Sequence, residues 1–168
     1  LHPVNRLDRG TTGLMVVAKH GYAHDQLRRQ LHGGGFSRRY VAVCLGAPNP
    51  PAGTIDLPIA RAEGSAIQRK IDSSGQEART DYRLLRTRGP LALLLVTPQT
   101  GRTHQIRLHM AAVGHPLAGD WLYGTEDKVL IARPALHSVQ LSFSHPVTGA
   151  CLSFTAPLPG DMKLLLEL

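Results

Sequence analysis

The stretch from residue 78 to residue 96 constrains the fold more than any other. Ala78, Thr80, Tyr82 and Leu84 alternate with Arg79, Asp81 and Arg83. That is the period-2 signal of a strand. After Pro90 the alternation stops, and residues 91–96 (LALLLV) are apolar without a break, which reads as a strongly apolar strand. No apolar run approaches the roughly 18 residues that a membrane span needs.

The remaining elements are read against that sheet. Residues 14–18 (LMVVA) read as a short buried strand, and residues 37–45 (SRRYVAVCL) as a longer one. Between them a helix is expected from Tyr22 to His32, with Leu27 and Leu31 on one face and three glycines, 33–35, stopping it. Residues 47–53 read as a Pro/Gly-rich loop and 67–71 as a polar edge strand. Thr103 is the expected N-cap of a helix reaching Val113, with Ile106, Met110 and Val113 as its apolar stripe. Residues 136–143 and 151–155 read as a hairpin, and a short helix is expected from Gly160. Many strands with few helices imply an α/β chain of the α+β type: a mixed, largely antiparallel sheet with flanking helices.

The 168 residues fit one domain, and 42% hydrophobic with 18% charged residues is too apolar for a disordered chain. Two cysteines, Cys44 and Cys151, supply neither a disulfide scaffold nor a four-ligand zinc site. No secretory signal opens the chain, so an intracellular, cytoplasmic protein is expected, with a monomer as the favoured state. The first residue is Leu1, as in a processed, trimmed or partial chain.

The net charge of +7 is unevenly placed. Residues 1–107 hold 16 Lys/Arg against 7 Asp/Glu, while residues 108–168 hold 3 against 5. Arginines outnumber lysines 15 to 4. Arginine's planar fork binds phosphate in bidentate fashion, so the bias points to nucleic acid. A basic protein without such a partner has the same composition. With only 5% aromatic residues, a broad base-stacking platform is disfavoured, and recognition through backbone and shape is favoured.

Four segments could carry chemistry. In residues 5–13 (NRLDRGTTG), Asp8 stands between Arg6 and Arg9, whose charges would keep it ionised as a nucleophile or base. The same pattern closes a turn with a surface salt bridge. Residues 101–107 (GRTHQIR) place Arg102, His104, Gln105 and Arg107 at a helix start, where anions are favoured. A merely wetted polar helix face reads the same way. On residues 38–43 (RRYVAV), Tyr40 shares a strand face with Ala42 and Cys44, as a pocket tyrosine or a core tyrosine would. Residues 115–124 (HPLAGDWLYG) are turn-rich and hold the one Trp; packing explains them as well as chemistry does. His104 and His109 fall on different helix faces, so no metal is expected.

Taken together these segments resemble the RluA family of pseudouridine synthases. The likeness runs from residue 3 to about residue 157, through NRLDRGTTGL (5–14), SRRYVAV (37–43), GRTHQIR (101–107), GHPLAGDWLYG (114–124) and LHSVQLSFSHPVTG (136–149). The resemblance implies an isomerase that converts uridine in RNA, ribosomal or transfer, to pseudouridine without cofactor or metal. It makes Asp8 the catalytic aspartate, Tyr40 the tyrosine packed against the target base, and Arg107 the cation paired with that aspartate. Arg6 would approach the RNA near the flipped nucleotide, and Arg9, Arg38, Arg39, Arg102 and His104 are the further RNA-binding candidates. Asn5 stands where the family more often has His, which removes a titrating group. The family's catalytic domain begins tens of residues earlier, so the chain is expected to be one N-terminally incomplete catalytic domain, residues 1–168, with an unpaired sheet edge. The alternatives are a non-catalytic RNA-binding remnant of such an enzyme and a fragment unable to fold alone.

Overall fold

The computed structural model describes residues 1–167; Leu168, the last residue of the expected domain, lies outside them. In chain order the elements are β1 (His2–Pro3), β2 (Thr12–Gly13), β3 (Val17–Ala18), α1 (Gly21–Gly33), β4 (Ser37–Leu45), β5 (Ala52–Asp56), β6 (Ile59–Arg61), β7 (Arg69–Ile71), β8 (Arg79–Arg88), β9 (Leu91–Pro98), α2 (Gln105–Ala112), β10 (Leu136–Ser144), β11 (Cys151–Thr155) and α3 (Gly160–Glu167). The main sheet runs β11-β10-β4-β9-β8-β5, all antiparallel, with β2 pairing parallel to the start of β10. The expected α+β architecture is therefore present. Among the described residues no helix is long and apolar enough to cross a membrane.

The sheet is covered on both faces. On one side Tyr40, Ala42, Cys44, Leu94 and Val96 pack with Ile106 and Met110 of α2. On the other, Val41, Val43 and Leu91 pack with Met162, Leu165 and Leu166 of α3. This explains the unbroken apolar run of β9, since a strand buried on both faces has no wet side. Helix α1 ends as its glycines suggest: Gly34 adopts φ +85° and its N–H bonds the Gln30 carbonyl.

Several expectations are corrected. Residues 14–18 form only the two-residue β3, paired with β1. The loop placed at 47–53 already enters β5, which pairs with β8 from Ala52 onward. The strand at 67–71 begins at Arg69 and pairs with the unforeseen β6. The β6–β7 hairpin lies over α2, where Ile59, Ala78 and Leu108 form a separate apolar cluster with Ile71 and Tyr123. Consequently α2 is buried nearly all round, from Gln105 to Met110, while Val113 at its end is 40% exposed. The three-residue apolar stripe is thus wrong at Val113, and the helix has no wetted polar face. Thr103 is not the N-cap; His104 takes that position, with φ +57° and no side-chain cap bond.

Candidate active site

A cleft of about 530 Å³ opens on the α2 side of the sheet. This volume falls within the range typical of ligand sites, about 300–1,000 Å³. The cleft draws on five distant parts of the chain: residues 3–8 and Thr11, Leu31 and His32 at the end of α1, Arg38 and Tyr40 on β4, residues 98–103 with Gln105 and Ile106, and Leu136 of β10. Asp8 and Tyr40 both line it, as do Arg6, Arg38 and Arg102.

Asp8 heads a tight turn in which the Thr11 N–H donates to the Asp8 carbonyl at 2.9 Å. The turn is backed by Arg133, whose Nη1 donates to the carbonyls of Gly10, Pro134 and Leu136. Beyond it Gly13, at φ +107°, lies so close to the Ser138 backbone that a Cβ there would collide with it. Glycine is thus required for β2 to seat beside β10. Asn5 fixes the other end: its Oδ1 accepts from the Val16 N–H at 2.9 Å.

Among the described residues no ion pair and no side-chain hydrogen bond reaches the Asp8 carboxylate. The sequence neighbours Arg6 and Arg9 do not close on it. Arg6 is exposed and donates from Nη2 to Thr103 Oγ1 at 2.6 Å, bridging the cleft mouth. Arg9 is exposed and outside the cleft lining. Arg107 is the larger departure. Its Nε and Nη2 donate to both oxygens of Asp120, at 2.8 and 2.7 Å, in a pair only 2% and 0% exposed. Burial alone would lower the Arg107 pKa, but the Asp120 hydrogen bonds and charge more than offset it, with the charge of Asp8 adding, and the net shift is upward. Arg107 thus sits within electrostatic reach of Asp8 while its hydrogen bonds belong to Asp120.

Tyr40 is buried, and burial pushes its phenol pKa up, with the Asp8 charge adding to the effect and Arg38 opposing it. It is a neutral, largely apolar wall at physiological pH. Arg38 donates to the Thr100 carbonyl at 3.1 Å, and burial lowers its pKa. The adjacent Arg39 points to the opposite sheet face, beside Asp81, Arg83, Leu95 and Thr97, and donates to Gln140. Alternation along β4 puts one arginine of the pair at the cleft and the other behind it. Arg102 donates from Nε to the Glu77 carbonyl. His104 lies beside Tyr123 rather than in the cleft lining.

Three buried donors among the lining residues have no partner among the described residues: Asn5 Nδ2, Thr11 Oγ1 and Arg38 Nε. Unpaired buried donors are costly, so such a cluster suits a polar ligand rich in acceptors. The sequence marks Asn5 only as a variant position and gives no signal at Thr11. Gln105, to which the sequence attaches no firm role, organises the cleft floor: Oε1 accepts from the Thr100 hydroxyl and the Arg102 N–H, and Nε2 donates to the Arg79 carbonyl and Thr80 Oγ1. Its type and place at a helix start were the available signal. Among the described residues no three His, Cys, Asp or Glu side chains gather as a metal site.

This arrangement sits in a chain with clear relatives. The model of the RNA pseudouridylate synthase family matches residues 1–112. An uncharacterized RNA pseudouridine synthase of Bacillus subtilis, YjbO, is 45% identical over 99% of this chain and 59% of its own length. Ribosomal large subunit pseudouridine synthase D of Nitrosomonas europaea is 43% identical over 98% of this chain and 50% of its own. The solved structure of human RNA pseudouridylate synthase domain containing 1 superposes with a TM-score of 0.80 at 28% identity, over 93% of this chain and 68% of that one. The chain spans about half to three-fifths of the length of these two curated relatives. In sequence motifs and in fold alike, the chain belongs to the RNA pseudouridylate synthase family, in its RluA branch.

Proposed function

We propose that this chain isomerises uridine in RNA to pseudouridine, with Asp8 as the catalytic carboxylate. The observation that carries the reading is the unpartnered Asp8 carboxylate in a cleft whose other walls are Tyr40, Arg38 and unpaired donors. Isomerisation breaks the C1′–N1 bond, turns the uracil within the site and joins C1′ to C5. The proton on C5 is lost and N1 ends protonated, so no atom is gained or lost overall. Ordinary glycoside hydrolysis needs two carboxylates, one of them to protonate a leaving group. Here the base never leaves, and one carboxylate suffices. Asp8 either attacks C1′ or takes a ribose proton; both uses need the free lone pairs it has.

The surrounding residues take supporting roles. A uridine must leave its stack to enter the cleft. Tyr40 gives the uracil a flat, water-excluding face on which to turn. Arg38, Asn5 and Thr11 offer donors to the carbonyls and hydroxyls of the nucleotide. Arg6 releases Thr103 and follows the RNA backbone into the space the uridine vacates, with Arg102 on the facing wall. Arg107 contributes positive charge near Asp8 without touching it. Arg9 and Arg39 contribute only to the outer basic field. Ribosomal RNA is the favoured substrate, since the Nitrosomonas relative is named for the large ribosomal subunit.

The test is pseudouridine mapping by chemical modification on unmodified ribosomal and transfer RNA transcripts, with wild type and Asp8→Asn side by side. Product from wild type alone supports the assignment. Product from both removes Asp8 from the chemistry. Tight, salt-sensitive RNA binding with no product from either indicates a binding remnant.

A further inference from the structure

Tyr123 is outside the cleft lining, yet four contacts meet at it. Its hydroxyl accepts from the Arg69 backbone N–H at 2.9 Å and lies 2.8 Å from His104 Nδ1. Its ring lies beneath the Arg107 guanidinium, 5.2 Å from the ring centroid. Its own N–H donates to Asp120 Oδ1 at 3.2 Å, on the carboxylate that clamps Arg107.

A phenol has one proton to give. The Arg69 amide is a donor, so among the described partners of the hydroxyl only His104 Nδ1 can receive that proton. With the phenol proton on that bond, His104 is neutral and carries its own proton on Nε2. Burial lowers the pKa of His104 in the same direction; the charges of Arg107 and Arg69 add to this, and those of Asp8 and Asp120 oppose it. A second observation is independent of protonation. His104 is the one non-glycine residue with positive φ among the described residues, at +57°. A residue with a Cβ holds that conformation only where its surroundings over-determine it, and such strain concentrates at functional sites. The Tyr123 hydroxyl and the edge of its ring, 5.6 Å between centroids and tilted by 71°, supply the restraint.

We propose that Tyr123 is a positioning residue: its hydroxyl locks the tautomer and strained backbone of His104 while its ring seats Arg107, fixing the two groups together at the start of α2. Through the Arg69 amide the same hydroxyl makes the β6–β7 hairpin part of the support, so a shift of the hairpin is felt at His104. The effect on turnover rests on the synthase reading; the lock on His104 does not.

The test therefore has two arms. On an unmodified large-subunit ribosomal RNA transcript, Tyr123→Phe lowers kcat by about 10²-fold, the effect of a misplaced catalytic group, with KM and melting temperature little changed. His104→Gly, which removes the strain, also lowers kcat but melts no lower than wild type. In the second arm, ring 15N shifts of the whole chain show His104 as a single Nε2–H tautomer in wild type and as a mixture in Tyr123→Phe. A Tyr123→Phe enzyme with wild-type kcat, or a loss that only tracks a lower melting temperature, overturns the inference. So does a wild-type His104 that is mixed or protonated on Nδ1. If wild type makes no pseudouridine the synthase reading fails by itself, and the ring spectra still decide the role of Tyr123.

Discussion

Asp8 and Asp120 are both carboxylates served by nearby arginines, and they end in opposite states. Asp120 is saturated. Its Oδ1 accepts from Arg107 and from the N–H groups of Leu122 and Tyr123, and its Oδ2 takes the second Arg107 bond. Asp8 has arginines two residues before it and one after, yet no side-chain partner among the described residues. The cause is local backbone geometry. The turn after Asp120 brings the amides two and three residues on back to its own side chain, as short carboxylate side chains do in turns. At Asp8 the returning amide of Thr11 bonds the carbonyl instead, and the side chain is left to the cleft. Neighbouring charge in sequence therefore does not define pairing. A filled carboxylate is a brace, and an unfilled one is available for chemistry.

Paired substitutions separate the two carboxylates. Asp8→Asn cuts pseudouridine formation by at least about 10³-fold, the scale of losing an acid–base or nucleophilic group. Its stability stays within about 0.5 kcal/mol of wild type, as for a site with no partner to lose. Asp120→Asn strands the Arg107 cation in the interior and costs about 3–5 kcal/mol in urea unfolding. If Asp8→Asn proves the more destabilising of the two, the assignment of brace and reagent is reversed.

Much of this was legible in the sequence, and the rest was not for identifiable reasons. Strands β4 and β9 and the β10–β11 hairpin announced themselves through alternation or unbroken apolar runs, and Tyr40 does share its face with Ala42 and Cys44. Strands β5 and β6 were hidden by the prolines and glycine of residues 47–53 and by their own shortness. The expected polar face of α2 failed because periodicity reports one buried face, whereas the β6–β7 hairpin covers the other. Asp8 and Tyr40, 32 residues apart, came together through motif resemblance; periodicity has no means of joining them. The bond of Arg107 to Asp120 is not legible in the sequence, because Asp120 lies in a segment that packing explains as well as chemistry does.

A smaller effect sharpens how the saturated side of the molecule supports the open one. Gln105 makes four hydrogen bonds that join the start of α2 to β8 and to the loop after β9. Gln105→Leu keeps the bulk and deletes all four. With each stranded buried group costing about 1–3 kcal/mol and water re-entering from the cleft to relieve some of them, a net loss of about 2–3 kcal/mol is expected. RNA affinity should weaken with it, since Arg102 and Thr100 line the cleft. An unchanged chemical unfolding curve would show that the cleft floor is held by packing alone.

The smallest effect is a pH slope from the same network. His109 is fully buried on α2; its Nε2 lies 2.9 Å from the Leu57 carbonyl and its Nδ1 2.8 Å from Thr80 Oγ1. A carbonyl only accepts, so Nε2 carries the proton and Nδ1 accepts from the Thr80 hydroxyl, leaving no place for a second proton. Burial lowers the His109 pKa accordingly. The unfolded chain, titrating near 6.5, then binds the proton that the folded chain refuses. Stability from His109 is complete above that pH and declines as the pH falls from about 6.5 toward the lowered folded value. His109→Gln can accept from Thr80 and donate to Leu57 without titrating. It is expected to cost about 1 kcal/mol at pH 7.5 and to flatten the loss of urea stability between pH 7.5 and 5. His104 and His137, whose pKa values burial also lowers, leave a residual slope in the variant. A slope identical to wild type would place the acid sensitivity in those two histidines and outside the Gln105–Thr80–His109 chain.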